Sequence, residues 1–314
     1  MKVSFWGVRG SIPSPITNTQ LRKKISAIIK RIKPNDIISK GSRERFLNQL
    51  PRDVFGTVGG NTTCIEINAV NTPLIIVDAG SGIRELSIDI EQRKKKPSEF
   101  HVFLTHFHWD HIQGLPFVIQ GFSKENSFFF YSPIQGFSNF LRQQMKAPFF
   151  PISMDKMDAK IEFVELNNNK SFFLGDTQIS WRKMRHPSGS YAYSFKDLTK
   201  KMIFATDAEI RPLDFKRSSE NKRFFEDTDL LILDSQYDVE DAIEKNNWGH
   251  TSNTVAVDFA SAWCVRKLVL FHHEPLYNDE EINDMLIKSI QYMRDRGNYP
   301  LSIDIAQEGM MIDI

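Results

Sequence analysis

One short run, Thr-His-Phe-His-Trp-Asp-His at 105–111, constrains the fold more than any other feature of the sequence. It directly follows the apolar stretch His101–Leu104, and its four potential metal ligands are His106, His108, Asp110 and His111. At this spacing such side chains can converge in a turn, whereas a regular strand or helix would spread them. Imidazole and carboxylate groups suit zinc, manganese or iron. Because three of the eight histidines lie here, we expect a metal site at the end of a strand.

Short apolar or alternating runs recur along the chain and predict β-strands. In the first third they are Lys2–Val8, Asn61–Asn68, Leu74–Asp78 and Val102–Thr105. Later they are Ile161–Leu166, Phe172–Met184, Tyr191–Lys196, Met202–Thr206, Leu230–Asp234, Leu268–Phe271 and Leu301–Ile305. Thr254–Val265 and Asp279–Arg296 predict helices from their apolar spacing and their start and stop residues. The mixture predicts one α/β domain over 1–314, with two packed sheets and helices outside.

Two segments are expected to be additions to that domain. The segment 16–53 is rich in Lys and Arg, has helical apolar spacing over Leu21–Ile32, and separates the first two predicted strands. We interpret it as a helical insertion. The segment 137–158 is aromatic and contains prolines. We interpret it as a flap or a dimerisation surface, and we expect a homodimer.

Composition and charge exclude several classes of protein. The 314 residues are 41% hydrophobic and 25% charged, as in an ordinary soluble globular protein. A net charge of +1 argues against a protein built to coat nucleic acid, although a local basic patch stays open. The two cysteines, Cys64 and Cys264, cannot form a disulfide scaffold, which favours a reducing cytoplasmic compartment. No signal-like start and no long apolar stretch occur, so no membrane span is expected.

The run His106–His111 resembles the second motif, H-x-H-x-D-H, of the metallo-β-lactamase superfamily. The other four motifs of that family also have counterparts in order, namely Asp78 after Leu74–Val77, His186 before Pro187, Asp207 after Phe204–Thr206, and His272 after Leu270–Phe271. The resemblance covers nearly the whole chain. It implies a four-layer αββα sandwich of two mixed sheets with outer helices, and a hydrolase that holds two divalent metal ions.

The resemblance also implies roles for the individual side chains. His106, His108 and His186 would hold one ion, and Asp110, His111 and His272 the other. Asp207 would bridge the two ions, and Asp78 would fix a ligand imidazole in the way that metal sites normally require. Zinc is expected, with manganese or iron as alternatives. His273 follows His272 directly, and we choose His272 as the ligand because it aligns with the strand end.

A second pair of residues bears on the substrate. Asp234 ends a predicted strand and His250 opens a predicted helix. The pair resembles the phosphodiesterase branch of the superfamily, which includes ribonuclease Z and small cyclic-phosphate phosphodiesterases. Ribonuclease Z usually has Glu where this chain has Asp234. An imidazolium held by a carboxylate can protonate a departing alkoxide, so we expect His250, Asp234 and the ligand Asp110 to be catalytic.

The glycine-containing runs 7–11 and 59–64 also resemble that branch. Small residues there would let the backbone approach the metal pocket, and Asn61 would lie near the substrate phosphate. Tight turns that require glycine are the alternative explanation.

These observations lead to a ranked set of functions. The first is hydrolysis of a small phosphodiester such as a cyclic nucleotide. The second is tRNA 3′-end cleavage of the ribonuclease Z type, which keeps RNA open as a partner. Those enzymes generally carry a Gly/Pro-rich arm, whereas the segment 137–158 has only Pro148 and Pro151 and no glycine. The third possibility is a lactonase or thioesterase, but such an enzyme has less need of the pair His250 and Asp234. The last is a non-catalytic protein on the same scaffold, which would not require all of the predicted metal ligands.

Overall fold

Two seven-stranded sheets form the frame of the computed structural model, which describes residues 1–167, 171–245, 247–297 and 301–314. The strands of the first sheet are β1 Lys2–Gly7, β2 Cys64–Asn68, β3 Leu74–Val77, β4 Glu99–Phe103, β5 Ser127–Ser132, β6 Lys160–Glu165 and β14 Met311–Asp313. Those of the second sheet are β7 Ser171–Leu174, β8 Thr177–Met184, β9 Ser190–Lys196, β10 Lys201–Ala205, β11 Leu230–Asp234, β12 Lys267–Phe271 and β13 Ser302–Ile305.

Both sheets are mixed, as predicted. The first has the order β14-β1-β2-β3-β4-β5-β6, with parallel pairing from β3 to β6. The second has the order β13-β12-β11-β10-β9-β8-β7, with parallel pairing from β10 to β13. Parallel pairing brings the carboxyl ends of neighbouring strands to one edge, and the residues after β3, β4, β10, β11 and β12 meet there.

The described helices are α1 Asn18–Ile29, α2 Lys40–Gln49, α3 Gly82–Gln92, α4 Phe137–Gln144, α5 Ser219–Phe225, α6 Val239–Glu244, α7 Asn253–Ala262 and α8 Asp279–Asp295. Helix α3 covers the outer face of the first sheet, and α7 and α8 contact strands of the second. Among the described residues, no helix has both the length and the apolar character needed to cross a bilayer.

Strand β3 shows how the sequence pattern produces the layers. All four of its side chains are buried. Ile75 and Val77 lie in the core between the two sheets, whereas Leu74 and Ile76 lie in the second core under α3. Alternating side chains of a strand point to opposite faces, so a continuous apolar run indicates a strand covered on both sides. Each such side chain contributes roughly 1.5–3 kcal/mol of burial free energy. The predicted αββα architecture is confirmed.

One predicted strand is wrong. Phe172–Met184 is not a single strand but the antiparallel hairpin of β7 and β8, in which Leu174 pairs with Thr177. Gly175 between them has φ 57°, a left-handed conformation that glycine adopts without steric cost. The apolar pattern on both sides of this turn concealed it. Strand β5, with its continuous Phe128–Tyr131 run, was not predicted, since a short apolar run does not distinguish a strand from a buried helix.

The segment 16–53 contains α1 and α2 and connects the antiparallel strands β1 and β2. Thr17 caps α1 in a reciprocal arrangement with Gln20. No residue of α1 is buried, but Lys24 forms an ion pair of 2.9 Å with Asp279 at the start of α8. Its origin as an insertion stays a prediction.

Candidate metal centre

The predicted metal ligands and Asp78 lie at the ends of five strands. Asp78 follows β3, and the loop after β4 carries the histidine-rich run, whose last three residues, Trp109–His111, form a 3-10 turn. His186 follows β8, Asp207 follows β10, and His272 follows β12. All of the metal ligands that the sequence analysis predicted are thereby brought into one cluster, together with Asp234 and His250.

Three of these strand ends share an unusual backbone. Asp78, Asp207 and His272 have φ values of 60°, 51° and 64°. Residues other than glycine rarely adopt this left-handed region, and such strain persists only where the surrounding structure imposes it. In each case the residue is within two positions of the strand end, so the backbone turns sharply there. This shared turn was not predicted from the sequence.

Asp207 lies at the centre of the cluster, between two groups of histidines. Its Oδ1 atom is 3.7 Å from Nε2 of His106 and 3.5 Å from Nε2 of His186. Its Oδ2 atom is 3.0 Å from Nε2 of His111 and 3.2 Å from Nε2 of His272. Each carboxylate oxygen therefore faces a different pair of imidazoles.

The remaining two predicted ligands complete the two groups. Nδ1 of His108 lies 3.1 Å from Nε2 of His186. Oδ2 of Asp110 lies 3.2 Å from Nε2 of His111 and 3.3 Å from Nε2 of His272. The structure thus separates His106, His108 and His186 on one side of Asp207 from Asp110, His111 and His272 on the other.

These groups fit divalent cations. The Nε2 atom of His106 is buried and makes no hydrogen bond to the described residues. A buried polar atom without a partner is costly, and a cation would satisfy it. The donor atoms of His106, His108, His186 and Asp207 all lie within 4.8 Å of one another, as do those of Asp110, His111 and His272. Imidazole nitrogen and carboxylate oxygen are the donors that zinc and manganese accept.

The electrostatics of the cluster favour the same interpretation. Burial, reinforced by neighbouring imidazoles, lowers the pKa of His106, and burial also lowers the pKa values of His108 and His186. These rings therefore stay neutral and can offer a lone pair. Burial opposes the charge on Asp207, but His272, His111 and His106 outweigh it and hold its pKa well below the usual range. The cluster offers ionised oxygen and neutral nitrogen.

His111 differs from the other rings. Burial would lower its pKa, but the carboxylates of Asp110, Asp207 and Asp78 outweigh burial and raise the pKa well above the usual value. A proton on His111 is held by surrounding negative charge. A cation bound to the same carboxylates would displace that proton, which is the general coupling between metal binding and ligand protonation.

Hydrogen bonds to the outer nitrogen fix the orientation of the rings of His111, His186 and His272. Nδ1 of His111 lies 2.8 Å from Oδ2 of Asp78, as predicted for a supporting carboxylate. Asp78 also accepts 2.8 Å bonds from the backbone N–H and hydroxyl of Thr105. Nδ1 of His186 lies 3.0 Å from the carbonyl oxygen of Gly249, and Nδ1 of His272 lies 3.2 Å from Oε1 of Gln236. Such contacts fix the tautomer and the ring plane.

The sequence analysis missed Thr105 and Gln236, and it also missed Thr206, whose hydroxyl donates a 2.8 Å bond to Oδ2 of Asp207. The available signal was position, because Thr105 and Thr206 each directly precede a predicted ligand. The sequence contains no comparable signal for Gln236, because this residue lies two positions after Asp234 but contacts His272.

The structure distinguishes the two adjacent histidines after β12. His272 lies in the cluster, whereas Nε2 of His273 lies 2.9 Å from the carbonyl oxygen of Ala306. Burial, reinforced by Arg9, lowers the pKa of His273 to about 3. His273 is therefore a buried neutral ring that joins two segments of the core.

The pair His250 and Asp234 lies at the margin of the cluster. Nδ1 of His250 is 2.7 Å from Oδ2 of Asp234. The imidazole ring of His250 is centred 5.2 Å from the rings of both His186 and His272, so it adjoins both ligand groups. Burial disfavours the charged ring, but the Asp234 carboxylate outweighs burial and raises the pKa of His250 to about 9.

Two glycines allow the backbone to approach the cluster. A Cβ atom on Gly10 would lie 2.6 Å from Nδ1 of His272, and one on Gly249 would lie 2.4 Å from Nδ1 of His186. Gly249 also has φ 95°. Such approaches exclude any side chain, which confirms for Gly10 the close backbone approach predicted for the run 7–11.

The side chain of Asn61 has other partners. Its Nδ2 donates to Glu308 at 3.1 Å, and its Oδ1 accepts a 2.9 Å bond from Ser81. Neither partner belongs to the histidine and aspartate cluster. A contact between Asn61 and a substrate phosphate therefore stays a prediction.

A cavity of about 560 Å³ opens beside His106 and His108. Its walls come from the histidine-rich loop, from the chain around α4, and from the loop between β8 and β9. Besides the two histidines, the lining residues are Phe107, Trp109, Ile112, Ile134, Phe140, Gln143, Gln144, Phe149, Ser188 and Gly189. The segment 137–158 therefore contributes to the cavity wall. Its predicted roles as a flap or dimer surface stay untested.

Residues 74–273 match the family model described as a beta-lactamase superfamily domain. Over 258 residues the chain is 25% identical to a ribonuclease Z of Pyrococcus horikoshii, covering 67% of this chain and 80% of that protein. The metallo-beta-lactamase fold protein YhfI from Bacillus subtilis superposes with a TM-score of 0.65 and 15% identity, covering 99% and 98% of the two chains. The short form of human tRNase Z gives a TM-score of 0.61 and 16% identity, covering 100% and 99%.

Proposed function

We propose that this chain, which belongs to the beta-lactamase superfamily, is a hydrolase that cleaves a small phosphodiester at a centre of two divalent metal ions. One observation carries the proposal. An imidazole held by a buried carboxylate, His250 on Asp234, adjoins both ligand groups of the cluster. Ester hydrolysis in general needs a nucleophile and electrostatic stabilisation, but an alkoxide leaving group also needs a proton.

The assignment of ligands follows the two sides of Asp207. His106, His108 and His186 would hold one ion, Asp110, His111 and His272 the other, and Asp207 would contact both. Zinc is the ion that we expect, and manganese or iron would accept the same donors. Two ions in such a centre supply Lewis acidity to a phosphoryl oxygen and a nucleophile at neutral pH.

We assign the role of general acid to His250. Asp234 engages its Nδ1 atom, so Nε2 is left to face the substrate. Asp234 is itself fixed by backbone N–H groups of Gln236 and Thr251 at 3.2 Å and of Ala208 at 3.3 Å. A ring held in this way stays protonated near neutral pH and donates its proton to the departing alkoxide. We further assign Asp110 a catalytic role through the ion that it would hold.

The cavity beside His106 and His108 favours a small substrate. Its volume of about 560 Å³ lies within the range of roughly 300–1,000 Å³ that is typical of small-molecule sites. A cyclic nucleotide is the substrate that we propose first. The helix α4 and the chain after it form one wall of this cavity rather than an extended arm.

Ribonuclease Z activity is the second candidate. The similarity to proteins of that name supports it, and so does the basic character of the segment 16–53, because Lys and Arg side chains bind phosphates. This candidate requires RNA as a partner and predicts binding that weakens steeply with salt. A homodimer, which we also propose, would give either substrate two copies of the centre.

The deciding experiment offers the metal-loaded protein four substrates, namely nucleoside cyclic monophosphates, cyclic dinucleotides, precursor tRNA and bis(p-nitrophenyl) phosphate. A lactone and a thioester serve as controls from other ester classes. We expect turnover of the diesters, with the cyclic monophosphates preferred. Preferred cleavage of precursor tRNA would select the second candidate. Turnover of the lactone or thioester with no diester cleavage would overturn the proposal.

A further inference from the structure

The wall of the cavity beside His106 and His108 has features that the proposed chemistry does not use. Three large aromatic side chains at the cavity are exposed to solvent: Trp109 at 68%, Phe140 at 41% and Phe149 at 73%. Single exposed apolar residues are common, but a group of them around one concave surface marks a binding site. Trp109 lies between the predicted ligands His108 and Asp110 in sequence, so this surface adjoins the metal centre.

Two of the aromatic side chains at the cavity, Phe107 and Phe140, are held in place by packing contacts. The ring of Phe107 is centred 5.8 Å from that of Phe137, which is fully buried in the core under the first sheet. Phe107 also contacts the edge of Phe140, with ring centres 5.3 Å apart. These contacts hold Phe107 and Phe140 in place. Trp109 and Phe149 make no ring contact with the described residues, so their faces are available to a ligand.

Besides His106 and His108, the polar residues of the wall are Gln143, Gln144 and Ser188, and two of these three carry carboxamides. Nε2 of Gln144 donates a 3.0 Å bond to the carbonyl oxygen of Ile112, which fixes that side chain. Gln143 is exposed, and its carboxamide makes no hydrogen bond to the described residues. A carboxamide offers both donors and an acceptor. The described lining contains no Lys, Arg, Asp or Glu.

This combination identifies the chemistry of the ligand. Aromatic faces select a planar group, and the carboxamides select a group with donors and acceptors along its edge. Because no Lys, Arg, Asp or Glu lines these walls, they favour a neutral group over a charged one. An acyl chain would match the rings but not the carboxamides, and a sugar would match the carboxamides better than three rings.

We infer that this cavity binds the nucleobase of a nucleotide substrate, with the base stacked on Trp109 or Phe149 and its edge bonded to Gln143 or Gln144. The inference rests on the proposed function, because it assumes that the phosphodiester of the same molecule occupies the metal centre. The base would then lie on the side of the centre that carries His106 and His108.

The first test compares a cyclic diester that carries a base with a cyclic diester that has neither a base nor a ribose ring. Nucleoside 2′,3′-cyclic monophosphates are compared with glycerol 1,2-cyclic phosphate, and kcat/KM is measured for Trp109→Ala and Phe149→Ala. Loss of one stacking partner should lower kcat/KM for the nucleotides about 5- to 100-fold. Turnover of the glycerol diester should fall by a clearly smaller factor, because that substrate carries no base to stack. Phe173→Ala, which removes an equally exposed ring on β7, is the matched control.

Two results would overturn the inference. Equal losses with both diesters would mean that the aromatic residues support the centre rather than a base, and unchanged kinetics with both would mean that no base contacts them. In either case the diesterase activity itself would stand. A short oligoribonucleotide is the third substrate, and a loss in Trp109→Ala confined to it would assign the cavity to the terminal base of an RNA chain.

A binding measurement separates this inference from the proposed function. Adenosine 5′-monophosphate and ribose 5-phosphate are titrated into the metal-loaded protein and followed by calorimetry. Tighter binding of the nucleotide, with that advantage lost in Trp109→Ala and kept in Phe173→Ala, supports the base site even if no diester is cleaved. Equal affinities for the two compounds in the unsubstituted protein would contradict it.

Discussion

The metal centre and the aromatic wall beside it are neighbours in space but are constructed in opposite ways. In the centre, Asp78, Asp207 and His272 are almost completely buried, and hydrogen bonds fix each of them. In the wall, Trp109 and Phe149 are largely exposed and have no ring partner among the described residues. One region is preorganised before any ligand binds, and the other offers surface that a ligand would cover.

The difference indicates that the centre serves the chemical step and that the wall serves substrate binding. A fixed polar cluster can stabilise developing charge without reorganising, and this is the main requirement for the chemical step. Exposed rings add affinity for whatever part of the substrate covers them. Substitutions in the centre should therefore affect every diester, whereas substitutions in the wall should affect only those that reach it.

The largest effect is expected from His108→Ala. This histidine is exposed, so its removal should leave the fold intact, but the centre would lose one donor of the first ion. We expect loss of bound metal and a fall in activity of at least about 10³-fold with every diester, because electrostatic stabilisation of the transition state is lost. Metal content by mass spectrometry and kcat are measured together.

The matched control for that variant is the next residue, Trp109→Ala, which belongs to the wall. It should keep both ions, and its activity towards glycerol 1,2-cyclic phosphate should fall far less than that of His108→Ala. A His108→Ala protein that retained its metal and its activity would break the distinction between the two regions.

His250→Ala comes next, since His250 adjoins the centre without being assigned as a ligand. We expect both ions to be retained and cleavage of an alkyl diester to slow by about 10²–10⁴-fold, the usual weight of a general acid. A diester with a p-nitrophenolate leaving group should lose less, because that group departs without a proton. Equal losses for both leaving groups would remove His250 from the role of acid.

Asp78→Asn tests whether the hydrogen bonds around the centre preorganise it. Asn tolerates the left-handed backbone found at Asp78, so the substitution should alter the bond to His111 and not the turn. Metal affinity should fall about 10–100-fold. Activity titrated against added metal should shift by the same factor and return at saturation. Activity that saturates at the same metal concentration as in the unsubstituted protein would argue against the supporting role.

The smallest effect is expected on the free energy of unfolding when an exposed ring of the wall is removed. Phe149→Ala should change the free energy of unfolding by less than about 0.5 kcal/mol, as for an exposed position. Phe137→Ala, which removes a fully buried ring under the same wall, should cost about 3–5 kcal/mol. Denaturant unfolding of the two variants compares them directly, and similar losses would show that the wall is part of the core.

Much of the centre was predictable because its residues carry local signals. The run 105–111 concentrates donors where an apolar strand ends, and Asp78, Asp207 and His272 also follow apolar strands. The same reasoning predicted α8 almost to the residue, from its acidic first turn to its end before Gly297. It failed at the hairpin of β7 and β8, where the two-residue turn Gly175–Asp176 separates two strand-like patterns, and it missed β5 and β14.

The supporting contacts were less predictable, since hydrogen bonds across distant segments leave no local pattern. Gln236 and His272 are 36 positions apart, and His186 bonds to Gly249 across 63 positions. Nothing in the sequence around either partner indicates the other.

The sequence by itself determined the layered architecture and the residue types of the centre, because strand periodicity and ligand chemistry are properties of short segments. Only the tertiary structure decided which oxygen of Asp207 faces which histidines, that His273 contacts the carbonyl oxygen of Ala306, and that Trp109 and Phe149 share a cavity. These outcomes depend on how strand ends and loops far apart in the chain pack together. A side chain's neighbours across such distances are set by the packing of the whole core and not by the residues beside it in sequence.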